Sequence, residues 1–212
     1  MMYTEEIAGT CSRLASLKTR GELGHAIAGI VLSYSPKDLQ RMRWNFTGKI
    51  QDMPLELRNK LEETITGHLH GTYQALRLNN QQGTFSHMGE PLPKDVGAYW
   101  KMVAAQCSTG DPEKVRLRFL KFLLSGFCMF VQELPGHPVG MPFPGGEKVK
   151  VIDGVYYCPV REKANDVDSA LCPFCPALQT PEIGYLKPPV GAGKHRKEEF
   201  LRQTFDRHHY NG

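Results

Sequence analysis

Three cysteines stand within eighteen positions of the stretch CPVREKANDVDSALCPFCP, residues 158–176, and proline follows each of them. Cys172 and Cys175 form a Cys-x-x-Cys unit, the spacing at which two thiolates leave a tight turn toward one metal centre. Cys158 lies fourteen residues before Cys172, at the end of a predicted hairpin strand that can deliver its sulfur to the same point. Each proline removes an amide donor and stiffens its turn, leaving later amides free to point at sulfur. Ordinary buried cysteines are the plainer alternative, and Cys11 and Cys107, which fall on helical apolar stripes, fit it. Cys158, Cys172 and Cys175 occupy a turn-rich segment and do not.

Three thiolates need a fourth partner. Cys128 closes an apolar run just before a glycine and proline loop, and His137 is displayed between Gly136 and Pro138 within that loop. Cys128 is taken as the fourth ligand, with His137 as the alternative; a water or an outside ligand would instead leave an open, reactive position. Soft thiolates serve zinc and iron–sulfur clusters equally, so the donor set alone does not choose the metal. Arg161, Lys163 and His137 can surround the site with positive charge, which favours thiolates. CPFC also resembles the glutaredoxin motif, but only 37 residues follow Cys175, too few for the strands and helices that come after the motif in that fold. Dithiol exchange is therefore the runner-up.

Other suggestive pairs carry less. His68 and His70 in GHLHG are two apart on a predicted helix and point to different faces. His208 and His209 adjoin in a tail where solvation is the simpler role, and FPGG at 143–146 lacks the lysine and following helix of a phosphate cradle.

The elements that must position these residues are mostly helices. Ile7, Cys11, Leu14 and Leu17 predict a helix over 5–17, and Leu23, Ile27, Ile30, Val31 and Tyr34 predict a second over 22–34. Ser35-Pro36 opens a third through Leu39 and Met42. Pro54 opens a fourth along Leu57, Leu61, Ile65, Leu69, Tyr73 and Leu76. A polar stretch at 78–97 interrupts, a fifth helix spans 97–107, and Asp111-Pro112 starts a sixth that runs to about 134, apolar nearly all round in its second half. The loop 133–146 leads into a hairpin pairing 148–152 with 155–159 about Asp153-Gly154, so that Ile152 faces Val155 and Val149 faces Cys158. The expected fold is mainly α, about six helices with a C-terminal β-hairpin and a cysteine-rich metal-binding knob. Its divisions are a helical core at 1–134, the loop, hairpin and knob at 135–189 in the same globule, and a basic tail helix at 190–212.

Composition excludes several classes. Apolar residues make up 41% and charged residues 23%, as in an ordinary folded domain. The net charge of +4 has one local cluster, Lys194 to Lys197, too sparse for a nucleic-acid stripe. The apolar run 119–131 contains Lys121 and is too short to span a bilayer, so no membrane insertion is expected. The first residues, MMYTEEIAG, show no export signal, so a cytoplasmic, reducing location is expected.

At HPVGMPFPGG (137–146), YYCPVREK (156–163) and ALCPFCPA (170–177) the chain resembles an uncharacterised archaeal family, a domain of unknown function found chiefly in methanogens. The resemblance reaches from the sixth helix to about residue 180 and, more faintly, into the helical half. No catalytic residue follows from it. It implies an anaerobic cytoplasm rich in iron–sulfur proteins, which tips the expected cofactor from zinc to a [4Fe–4S] cluster on Cys158, Cys172 and Cys175. The expected function is a non-catalytic accessory protein that senses redox state or oxygen, or docks on another protein such as an enzyme complex of methanogen energy metabolism. A structural zinc module and a CPFC dithiol oxidoreductase are the alternatives. An enzyme would need a pocket between the 78–97 loop, His137 and the knob.

Overall fold

The computed structural model describes residues 4–143, 146–162 and 171–181; the predicted tail helix at 190–212, Lys163 and the Lys194 cluster lie outside them. Six helices follow the predicted order: α1 Thr4–Ser16, α2 Arg20–Val31, α3 Pro36–Lys49, α4 Leu55–Gln81, α5 Val96–Gln106 and α6 Pro112–Gly126. Local chemistry sets their starts. Thr19 and Glu22 form a capping box that begins α2 at Arg20, two residues before the predicted start at 22. Ser35 and Asp38 do the same for α3, and the Asp111 carboxylate accepts from the amides of Glu113 and Lys114, both at 3.1 Å, at the start of α6.

The main core is built around α6, whose Phe119, Leu120, Phe122, Leu123 and Leu124 are all buried. Ile7, Cys11 and Leu14 of α1, Leu23 and Ile27 of α2 and Tyr99, Trp100 and Val103 of α5 join the same cluster. Gly126 ends α6 where a Cβ would meet the Trp100 and Tyr99 rings at 3.1 Å. The chain then widens into a π-turn, Phe127–Val131, in place of the α-helix predicted to 134. Arg20 explains the stop: its Nε donates to the Val131 carbonyl at 3.1 Å and its guanidinium pairs with Glu133 at 3.0 Å, a residue in the left-handed region at φ 57°.

The polar stretch 78–97 is a strap. Its first residues extend α4, and the rest is tied to the start of α2 by Gly21 N–H to Met88 O, Arg20 N–H to Glu90 O and Leu92 N–H to Lys18 O, each at 2.9 Å. Phe85, buried in this segment, lies against Gly24, where a Cβ would sit 2.6 Å from its ring. A Cβ on Gly21 would fall 2.1 Å from the Phe85 carbonyl oxygen. Glycine at these two positions is what lets the strap touch the helix.

The C-terminal part forms a three-stranded sheet, β1 Lys150–Ile152, β2 Val155–Cys158 and β3 Leu178–Gln179. The predicted turn is present, with Asp153 and Gly154 both at positive φ, and Ile152 faces Val155. The predicted register holds as far as Lys150 opposite Tyr157, and Val149 bonds through its backbone to Gly140 and Met141 of the glycine and proline loop. β3, two residues long and parallel to β2, was beyond the reach of alternation. Met141, Phe143, Val149, Cys158, Val160 and Ala177 form a second small core with Phe46, Ile50 and Leu61 of the α3 and α4 side. No helix among the described residues is long and apolar enough to cross a membrane.

Substituting Gly21→Ala should lower stability by about 1–3 kcal/mol through overpacking against the strap. Gly29→Ala, on the exposed side of the same helix with open space around it, should raise it by about 0.5–1 kcal/mol. Paired urea denaturation curves check the contrast; equal effects at both positions would mean the strap does not hold.

Candidate functional site

Cys158 ends β2, Cys172 opens a single 3-10 turn over Cys172–Phe174, and Cys175 closes that turn with its amide on the Cys172 carbonyl at 3.1 Å. Cys128 arrives from the π-turn. Cys128, Cys158 and Cys172 are buried and Cys175 is half-buried. The fold thus brings four cysteines from three elements into one electrostatic neighbourhood. Cys175 is its centre: a charge on it raises the pKa of Cys128, Cys158 and Cys172 alike.

The proline turns act as the sequence suggests. Beyond Pro159, the Val160 amide donates to the Cys158 sulfur; beyond Pro176, the Ala177 amide donates to Cys175, which also accepts from Gly136 N–H at 3.4 Å. Arg161 braces the same turn, its guanidinium donating to the Ala177 carbonyl at 3.1 Å and the Pro173 carbonyl at 3.4 Å. Its positive charge favours the thiolates of Cys158, Cys172 and Cys175.

Burial opposes these donors and wins. It is the largest influence on all four thiols, pushing Cys128 and Cys158 up to about 12, Cys172 to about 11, and Cys175 above the ordinary 9.0. The four are therefore neutral thiols at neutral pH.

The structure does not show the metal-binding knob expected from the sequence. Among the described residues, no three of histidine, cysteine, aspartate and glutamate stand together closely enough to hold a metal ion. The local reason lies in separate partners: the Cys128 thiol faces the Pro135 carbonyl at 3.5 Å and the Leu134 carbonyl at 3.8 Å, whereas Cys175 holds the Gly136 amide. His137, the alternative ligand, packs edge-on against Phe143 with ring centroids 5.6 Å apart.

The histidine facing a candidate cysteine is His68, whose Nε2 lies 3.8 Å from the Cys128 sulfur. Helix α4 runs unbroken through GHLHG and, as expected, parts the two histidines, leaving His70 exposed and His68 half-buried. The signal for His68 was in the sequence, since it stands seven residues after Leu61 and three after Ile65, on the buried stripe. Cys128 with His68 resembles a nucleophile and its base. Burial lowers the His68 pKa while raising that of Cys128, so both are neutral, and Cys128 is only 1% exposed.

A cavity of about 450 Å³ lies between α3, α4 and α6, with Gly136, His137 and Leu171 at its edge. Of the pocket expected for an enzyme, His137 and the cysteine turn border it; among the described residues, the 78–97 loop does not.

A thiol whose folded pKa stands above its unfolded value favours the folded state below the unfolded pKa and loses that contribution as pH rises through the folded one. For Cys128 and Cys158 that window runs from 9.0 to about 12. In metal-free folded protein at neutral pH, iodoacetamide should label Cys128, Cys158 and Cys172 more than ~10-fold more slowly than in urea, and raising pH toward that window should speed labelling while lowering the thermal midpoint. Peptide mass spectrometry checks this; labelling as fast as in urea would show accessible thiolates.

Comparison with known proteins adds a lineage. The profile of a family described as "Uncharacterized protein conserved in archaea", DUF2115, matches residues 19–180, which include all four cysteines. A UPF0305 protein of Methanopyrus kandleri is 33% identical over 98 residues, 44% of this chain and 69% of that protein. A UPF0305 protein of Methanothermobacter thermautotrophicus is 52% identical over 52 residues, 24% of this chain and 34% of its own length, so the chain spans only about a third of that relative. Another from Methanococcus maripaludis is 23% identical over 145 residues, 68% of this chain and 75% of that protein. These organisms are methanogenic archaea. No solved structure matches.

Proposed function

We propose, for a chain that belongs to this archaeal family of unknown function, that its cysteine end takes up a thiolate-bound metal centre and that the protein serves as a non-catalytic accessory. In this reading Cys158, Cys172 and Cys175, with Cys128 as the fourth ligand, hold a [4Fe–4S] cluster. One observation supports the reading: Cys128, Cys158 and Cys172, buried on three separate elements, each feel a charge on the half-buried Cys175. The amides of Gly136, Val160 and Ala177 support it, because donors aimed at sulfur stabilise the charged ligand a metal requires.

Magnitudes favour closure. Gathering the sulfurs exchanges hydrogen bonds of about 1 kcal/mol each. A thiolate metal site contributes on the order of 10 kcal/mol and displaces the thiol protons as it forms. The up-shifted thiols thus make the metal-free site inert and the loaded site proton-coupled. They also weigh against dithiol exchange by CPFC, since an attacking cysteine needs a lowered pKa.

Loading would bind α6, the 135–143 loop and the hairpin into one unit, and oxidative loss of a cluster would release them. A partner protein that docks on this end would then read redox state or oxygen through the shape of the 135–180 segment. Zinc on the same four sulfurs would make the segment a fixed docking module.

The test is a serine series, Cys128→Ser, Cys158→Ser, Cys172→Ser and Cys175→Ser, with Cys11→Ser and Cys107→Ser as controls. After anaerobic reconstitution with iron and sulfide, each of the first four should lose most of its bound metal and become cleavable by protease in the 135–180 segment, whereas the controls should keep both metal and protection. Equal metal in all six variants would overturn the reading.

A further inference from the structure

Arg20 stands where three segments distant in sequence meet. Its own N–H donates to the Glu90 carbonyl and that of Gly21 to Met88, so the first turn of α2 holds the strap. From the same turn its side chain reaches the end of the π-turn, where Nε and Nη2 both donate to the Val131 carbonyl and Nη1 pairs with the Glu133 carboxylate at 3.0 Å. The Arg20 side chain is 17% exposed, so this grip is largely shielded from water. Phe85 of the strap closes the junction, its ring edge-on to Phe127 with centroids 6.0 Å apart.

The backbone held there is not the one that local preference selects. The Gln132 amide bonds back five residues to the Phe127 carbonyl at 3.1 Å, and the Leu134 amide bonds back six residues to the Cys128 carbonyl at 2.9 Å. Between them Glu133 takes the left-handed region at φ 57°, which costs energy for any residue with a Cβ. Such a turn persists only where its surroundings over-determine it. Arg20 supplies that constraint, because its planar fork satisfies the Val131 carbonyl and the Glu133 carboxylate together.

The consequence falls on the next three residues. The Cys128 thiol faces the Leu134 and Pro135 carbonyls, and the Gly136 amide donates to the Cys175 sulfur. The 134–136 segment is thus the link between Cys128 and Cys175, and its near end is fixed one residue earlier, at Glu133. We propose that Arg20 is a latch on this link: by gripping Val131 and Glu133 it keeps Cys128 on the Pro135 carbonyl and Cys175 on the Gly136 amide. Opening the latch frees both sulfurs from those partners, while Cys158, anchored in the second small core with Phe46 and Leu61, stays in place. Because the strap is bonded to the same turn of α2, a displacement of the strap reaches the cysteines through Arg20. The latch belongs to the metal-free protein and holds whether or not the cysteines take up a metal.

Iodoacetamide labelling of the metal-free, full-length chain, read cysteine by cysteine well below the thermal midpoint, tests it. Cys128 and Cys158 make a matched pair, 1% and 3% exposed and both pushed up to about 12 by burial, so the ratio of their labelling rates is the deciding quantity. In Arg20→Met that ratio should rise at least ~10-fold through local opening of the 134–136 link. A merely structural role for Arg20 would lower global stability and speed both thiols alike, leaving the ratio where it was. Should Arg20→Met not fold, Arg20→Lys, which keeps the charge but cannot grip carbonyl and carboxylate together, reads the same ratio. Gly21→Ala, which pushes on the strap without touching the guanidinium, should raise it as well. An unchanged ratio in the Arg20 variant would overturn the latch, and an unchanged ratio in Gly21→Ala would overturn its coupling to the strap.

Discussion

The constraint on which the structure depends is the burial of α6 on nearly every side. A helix with Phe119, Leu120, Phe122, Leu123 and Leu124 cannot stand at a surface, so α1, α2, α3, α4 and α5 are arranged around it. Two consequences follow from that enclosure. Lys114, Arg118 and Lys121 of α6 line one gap in its cover, the cavity beside α3 and α4. The far end of the helix, widened into a π-turn, then carries Cys128 to the place where the hairpin and the Cys172 turn pack. The cavity and the cysteines are neighbours because both are anchored on the same helix.

The helices were legible because their stripes are long. Leu57 to Leu76 predicts α4, and the Ser35-Pro36 and Asp111-Pro112 signals mark two helix starts correctly. What periodicity could not show was set by partners distant in sequence. The π-turn depends on Arg20 meeting Val131 and Glu133, more than a hundred residues away. The strap at 82–95 depends on Gly21 and Gly24, whose missing side chains leave no apolar signal. β3 spans two residues and owes its pairing to Thr180 N–H reaching the Cys158 carbonyl at 3.1 Å.

The site was legible in chemistry more than in geometry. Proline after cysteine foretold amides that turn back to sulfur, and the Val160 and Ala177 amides do so. Spacing could say that the sulfurs might meet, but not that Cys128 would be drawn to the carbonyls of Leu134 and Pro135. The spacing of His68 and His70 argues against a shared ion, whereas the register of His68 with Leu61 turns it inward. Lys121 argues in the sequence against a membrane helix; that it lines the cavity with Lys49 and Arg118 depends on the packing of α3 against α6.

The central claim is that the four cysteines serve a metal. Iron, zinc and acid-labile sulfide, measured in protein purified without oxygen and followed by its visible spectrum on exposure to air, test it most directly. The account predicts brown protein with about four irons and four sulfides per chain that bleaches in air. Colourless protein with neither iron nor zinc, its thiols free and its fold unchanged by chelator, would contradict it.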